Sequence, residues 1–289
     1  MVIDSHTHAW GPPSRAHPWV NGPLVDLVDT FAVETIYTAE RLLADMDDAG
    51  VDEAVVVGYP ICEWTDNWYT TRAVAEHDRL SGIVMVDPFA DNAGTHLREC
   101  MAIDGVVGVR LGAICPSDRM WETFDPTVGW LTDAIGETAF WRAARETGAL
   151  VQVLADVTQL DRVVSLVDAY PDLTYLVDHF SHADPDEPPE ESAFSTYRDL
   201  AAYENVYAKL SEVQHRSKED YPYIDMHDHV RWLLGEFGRE RLVWGADYPN
   251  VSDMATYEEC VTWLERVDGL SAGDRRWLRG RSFERAVGN

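Results

Sequence analysis

Two histidines one residue apart, His6 and His8, end the first apolar run of the chain, Val2-Ile3-Asp4-Ser5-His6-Thr7-His8. Side chains alternate faces along a strand, so both imidazoles point the same way and can hold one ion or one substrate group. Far downstream, Asp247 closes a comparable run, Leu-Val-Trp-Gly-Ala-Asp-Tyr-Pro. A carboxylate there can take a proton from an attacking water, or it can cap a helix. Further polar residues gather at the ends of apolar runs: Arg110 in Gly-Val-Val-Gly-Val-Arg-Leu, Gln152 in Val-Gln-Val, His179 in Leu-Val-Asp-His-Phe and Lys209 in Val-Tyr-Ala-Lys-Leu. The planar fork of Arg110 suits a substrate carboxylate, or an internal ion pair with an aspartate such as Asp87. Lys209 stands out in a chain that holds only one other lysine, Lys218, and it reads as a substrate or oxyanion contact or as a structural pair.

Positioning these groups requires a scaffold. Short apolar runs at 2–6, 53–57, 82–86, 106–111, 150–154, 174–178, 206–209 and 242–244 have the Val, Ile and Leu content of parallel strands covered on both faces. Helical patterns at 39–49, 69–77, 140–147, 160–169 and 229–237 alternate with them, and Gly50 and Gly148 serve as stops. Eight strand–helix units predict an α/β fold, a single-domain (β/α)8 barrel over 1–289 with its site at the C-terminal ends of the strands. A doubly wound sheet with fewer strands is the alternative. Two longer irregular stretches, 9–37 and 183–191, follow the first and sixth strands and are candidate walls or lids.

Composition narrows the partners. With 51 acidic against 23 basic residues, the formal charge is −28, a field that repels nucleic acid and acidic membranes. The acids are spread along the chain as a solvated coat, which a salty cytoplasm would screen, so a halophilic source is expected. No apolar stretch is long enough to span a bilayer and no signal segment opens the chain, so a cytoplasmic location is expected. Cys62, Cys100, Cys115 and Cys260 have no metal-binding spacing and read as reduced packing residues.

Taken in order, Ile-Asp-Ser-His-Thr-His-Ala-Trp, Gly-Val-Arg, Val-Asp-His, Val-Tyr-Ala-Lys-Leu-Ser and Trp-Gly-Ala-Asp-Tyr-Pro span nearly the whole chain. The set resembles the amidohydrolase superfamily, and within it the amidohydrolase-related branch that includes sugar lactonases and pyrone-dicarboxylate lactonases. The resemblance implies that His6, His8 and Asp247 are metal-centre positions, with His179 a further ligand or a substrate-polarising group. Metal-dependent relatives usually carry a histidine or carboxylated lysine on strand five, where this chain has Gln152, a poor zinc ligand. One divalent metal, zinc first, is therefore expected rather than two, and the branch also includes enzymes that work without metal.

The expected activity is hydrolysis of a cyclic ester, a sugar lactone or a carboxylated lactone. Asp247 would be general base and His6, His8 and His179 would hold metal or stabilise the oxyanion. Arg110, Lys209, Gln152 and Trp10 would face a small-molecule substrate, in a monomer or a homo-oligomer. A non-oxidative decarboxylase of an aromatic or muconate-type acid is the second reading, and a non-catalytic barrel binding protein the third. The second His-X-His, His227 and His229, starts a helical pattern in which alternate residues do not face together, and it reads as a surface or loop pair. His182 and His215 lie beyond strand ends and could reach the pocket.

Overall fold

The computed structural model describes residues 1–19, 36–60, 62, 63, 65–112, 136 and 138–288. Cys115 and the middle of the 9–37 stretch lie outside the described residues. Eight strands run in chain order around one sheet: β1 Ile3–Thr7, β2 Glu53–Val57, β3 Leu80–Met85, β4 Val106–Leu111, β5 Leu150–Val153, β6 Tyr175–Val177, β7 Val206–Leu210 and β8 Leu242–Trp244. Every neighbouring pair is parallel. A parallel bridge between Thr7 and Tyr248 joins the last strand's exit to the first, so the sheet is a nearly closed (β/α)8 barrel. Each expected strand is present, with ends moved by no more than two residues.

The helices lie where periodicity put them. In the helix Ala39–Ala49, Ala39, Leu42 and Met46 turn inward, the Thr38 hydroxyl accepts the Arg41 amide, and Gly50 stops the helix at φ 73°. The helix Trp68–Glu76 has a buried cap from outside its own first turn. Glu63 accepts the Tyr69 and Thr70 amides at 3.0 and 3.1 Å and the Thr70 hydroxyl at 2.9 Å. Burial pushes the Glu63 carboxyl up to about 7, with the amides pulling the other way. A carboxyl that holds its proton more tightly when folded loses stability as pH rises from its unfolded value near 4.5 towards 7. Between pH 5 and 7, wild type should therefore lose stability relative to Glu63→Gln by on the order of 2 kcal/mol in urea unfolding. Parallel pH dependence of the two proteins would remove Glu63 as the cause.

Strand parity builds the site's floor. Ile3, Leu150, Leu176, Tyr207 and Val243 share one apolar cluster inside the barrel, and Phe283 and Ala286 of the helix Ser282–Val287 join it. Two residues further along, on the same face, come Gln152, Asp178, Lys209 and Gly245, while on β1 the register shifts between Asp4 and Thr7, where His6 enters the mouth. A polar layer therefore rests directly on an apolar one. The larger core lies between the strands and the helices and contains buried Cys62, Cys100 and Cys260 as free thiols.

The seam between β1 and β8 is held by a buried carboxylate. Asp4 accepts the His6 and Ala246 amides at 3.0 and 2.9 Å and the Tyr257 hydroxyl at 2.8 Å, while the Ser5 hydroxyl donates to the Trp244 carbonyl. Burial raises the Asp4 carboxyl to about 7 against the pull of these donors. Gly245 permits the close approach: a Cβ there would lie 2.9 Å from the His6 Cβ and 3.0 Å from its amide nitrogen.

The second His-X-His requires a correction. His227 and His229 both belong to the helix His227–Phe237 and are 5 % and 2 % exposed, so they are not a surface pair. The helix presses its first turn inward: His227 Nε2 donates to the Pro222 carbonyl at 2.9 Å, and the His229 ring meets Phe194 edge-on at 4.9 Å. Among the described residues, no helix is long and apolar enough to cross a membrane.

Candidate active site

The strand-one histidines and Asp247 come together at the C-terminal mouth of the barrel. His8 Nε2 lies 3.2 Å and His6 Nε2 3.6 Å from the same oxygen, Asp247 Oδ1. Asp247 reaches this point from a left-handed backbone conformation, φ 63°, in which its amide donates to the His6 carbonyl at 2.8 Å. An aspartate tolerates that conformation better than most residues, and the loop is thereby turned back over β1.

Hydrogen bonding decides the tautomers. His8 Nδ1 is 2.8 Å from the Val57 carbonyl, which can only accept, so Nδ1 carries a proton, and Nε2 faces Asp247 Oδ1 at 3.2 Å. The Lys209 ammonium donates to the Ser5 carbonyl at 3.0 Å, to Gln152 Oε1 at 2.7 Å and to His6 Nδ1 at 3.3 Å, and it forms an ion pair with Asp178 Oδ1 at 3.3 Å. An ammonium can only donate, so His6 Nδ1, 3.3 Å from it and 3.7 Å from Asp178 Oδ1, is the acceptor there. His6 Nε2 is buried with no hydrogen-bond partner. Burial, followed by the nearby cations, holds the His6 imidazole well below its ordinary pKa, so it is neutral.

Two imidazole Nε2 atoms thus converge on one carboxylate oxygen, and that of His6 has no hydrogen-bond partner. This donor set of two nitrogens and one oxygen fits a divalent cation of the zinc class. His8 also has the outer acceptor that a ligating histidine requires, the Val57 carbonyl.

His179 falls into a different group, with His6 and Asp178. Its Nε2 accepts from Arg110 at 3.0 Å, because a guanidinium can only donate, and its Nδ1 proton is left to the Ser211 hydroxyl at 2.9 Å. Burial lowers its pKa well below the ordinary value, in keeping with a neutral ring. The segment carrying it is strained: His179, Phe180, Ser181 and His182 have consecutive φ angles of 54°, 50°, 47° and 56°. The turn is locked by buried Phe180, by a Ser181 to Tyr197 hydroxyl contact of 2.8 Å and by the Ser181 amide donating to the Asp178 carbonyl.

Arg110 does not pair with Asp87. Its Nε donates to Asp178 Oδ2 at 3.1 Å, and Gln152 Nε2 donates to the same oxygen at 2.8 Å. Lys209 and Gln152 are fully buried and directed at protein partners, below the mouth rather than in it. Burial brings the Lys209 pKa down to about 8 even though Asp178 acts in the opposite sense. Trp10 is likewise fully enclosed. It stacks on Tyr59 at 4.5 Å, and Tyr59 in turn meets the His8 ring at 4.9 Å, so Trp10 braces the ligand from behind.

Sequence reasoning missed Asp178, Glu212, Ser211 and Tyr59. Asp178 had a visible signal, a carboxylate immediately after the apolar Leu-Val of β6. Glu212 follows β7 at φ 59°, 3.8 Å from His182 and 3.5 Å from Arg216, and burial raises its carboxyl to about 8. Nothing in its local sequence marks it. His182 does reach the rim of the site, with its ring stacked 6.4 Å from that of His179.

A parallel eight-stranded barrel whose mouth gathers two strand-one histidines and a strand-eight aspartate is the arrangement of the amidohydrolase class. The chain belongs to the amidohydrolase family (Amidohydro_2), whose model matches residues 3–281. It is 27% identical over 256 residues to the 4-sulfomuconolactone hydrolase of Rhizobium radiobacter, covering 86% of this chain and 75% of that one. It is 25% identical over 272 residues to the L-fucono-1,5-lactonase of Burkholderia ambifaria, covering 91% and 87%. The crystal structure of an amidohydrolase from Burkholderia multivorans with bound zinc shares the fold, with a TM-score of 0.75 at 20% identity over 100% of this chain and 99% of that one.

Proposed function

We propose that this chain is a lactonase that opens a sugar lactone or a carboxylated lactone with one divalent ion, zinc first, held by His6, His8 and Asp247. The convergence of His6 Nε2, His8 Nε2 and the Asp247 carboxylate on one buried point carries this reading. The lactone substrates named for two relatives spanning most of the chain support it.

A bound ion at this point supplies Lewis-acid polarisation of a carbonyl and acidifies water. Asp247 accepts the proton of the attacking water, whose oxygen bonds to the ring carbonyl carbon. The ring C–O bond then breaks and Asp247 returns the proton to the departing alkoxide. Asn250 Nδ2, 3.4 Å from both Asp247 oxygens, steadies the carboxylate during this exchange. Arg110 is anchored by Asp178 and His179 and keeps further N–H donors for a substrate carboxylate.

Protein purified without added metal and assayed on a panel of sugar and dicarboxylate lactones should carry about one zinc per chain and lose activity on chelation, recovering it with zinc. Lactone opening by metal-free protein would overturn the metal half of the reading. Failure on every lactone, with metal present, would overturn the other half.

A further inference from the structure

The two ligand-sized groups in the mouth share His6 but differ in what already surrounds them. Around His6, His8 and Asp247, His6 Nε2 has no hydrogen-bond partner. In the second group, of His6, Asp178 and His179, protein cations already stand at the ligand atoms, and Asp178 Oδ1, which has no hydrogen-bond partner, faces one of them. Arg110 donates to Asp178 Oδ2 and His179 Nε2, and Gln152 also donates to Asp178 Oδ2. The Lys209 ammonium lies 3.3 Å from both Asp178 Oδ1 and His6 Nδ1. Lys209 and Asp178 are 0 % exposed, so water cannot stand in for either charge.

Building on the single-ion reading above, we propose that Lys209, backed by Arg110, occupies the place of a second cation and limits the chain to one divalent ion. Two fixed positive charges lie where a second ion would have to enter, and like charges at such distances in a buried layer strongly oppose each other. The limit is therefore set by a residue of β7 as well as by the missing strand-five ligand. Replacing Lys209 with an uncharged side chain of similar length frees Asp178 Oδ1 and removes one of those charges. Arg110 still answers Asp178 Oδ2 and His179 Nε2, so the second ion must enter by way of the freed Oδ1.

Manganese is the probe, because its spectrum distinguishes one ion from two neighbours. Wild type, Lys209→Met and Lys209→Arg are saturated with Mn2+, freed of excess metal, checked for folding by circular dichroism, and measured for bound manganese and low-temperature electron paramagnetic resonance. Wild type and Lys209→Arg should bind one equivalent with an isolated-ion spectrum. Lys209→Met should approach two, with the exchange-coupled spectrum of ions roughly 3.5–4 Å apart. A purely structural role for Lys209 would not produce that coupling.

Two equivalents in wild type overturn the proposal, a measurement that holds even if Lys209→Met fails to fold. One equivalent in folded Lys209→Met also overturns it. If wild type binds none and Lys209→Met binds one, Lys209 does exclude a cation, and the single-ion reading of the mouth fails instead. No manganese in any of the three proteins overturns both.

Discussion

Asp247→Asn is expected to lower kcat for lactone opening by about 10²- to 10⁴-fold while leaving the unfolding midpoint nearly unchanged. The substitution keeps the shape of the side chain and the left-handed backbone, which asparagine also tolerates. It also preserves the backbone bond from residue 247 to the His6 carbonyl, so the seam between β8 and β1 stays closed. What it removes is the capacity to accept and return a proton, together with the negative charge facing His6 Nε2 and His8 Nε2. Steady-state kinetics on the best lactone, paired with urea unfolding, separates the chemical loss from any structural one. A variant that turns over within a few-fold of wild type would show that the water is activated elsewhere, and buried Glu212 would be the first residue to examine.

Asp178→Ala should cost about 3–5 kcal/mol of stability at neutral pH, because it leaves buried charges of one sign uncompensated. The carboxylate is fully buried and lies within 3.3 Å of the Lys209 ammonium and 3.1 Å of Arg110 Nε. Burial alone would push its carboxyl up, but Lys209 and Arg110 outweigh that and hold it below the ordinary range. A carboxyl lowered in this way contributes stability above its unfolded pKa near 3.8 and loses it as pH falls through the folded value. The deficit of the variant should accordingly be fully present at pH 7 and shrink in strong acid. Urea unfolding at the two pH values measures this directly. A loss under about 1 kcal/mol at pH 7 would mean that the two cations find other partners or deprotonate.

Several parts of this molecule were legible in its residues because they depend on neighbours in sequence. Each of the eight strands is a short run of Val, Ile and Leu, and those residues suit a pleated surface covered on both sides whatever the rest of the chain does. His6 and His8 shared a face by strand alternation alone, and Asp247 was marked by its place after β8. Arg110 was legible only as a charge that had to find a partner. A substrate carboxylate was the first reading and an aspartate such as Asp87 the alternative, and the partner, Asp178, lies 68 residues away.

Long-range closure accounts for what the residues did not disclose. His227 and His229 looked exposed because helix periodicity gives a face without saying what covers it, and Phe194 covers His229 from another loop. Lys209, Gln152 and Trp10 were expected to face substrate, and whether a side chain at a strand end meets solvent or a partner depends on the opposite wall of the barrel.

By itself, then, the sequence determined the strands, the helices that cover them, the shared face of His6 and His8 and the strand-end position of Asp247. These follow from backbone alternation and the transfer of apolar side chains out of water, both of which act locally. Only the closed barrel decided that Asp178 sits between Lys209, Arg110 and His6, that His8 and His6 bring their Nε2 atoms to one Asp247 oxygen, and that His179 turns to Arg110. Those pairings depend on distances across the mouth between strands far apart in the chain, and electrostatic energy in a buried layer depends on distance in space.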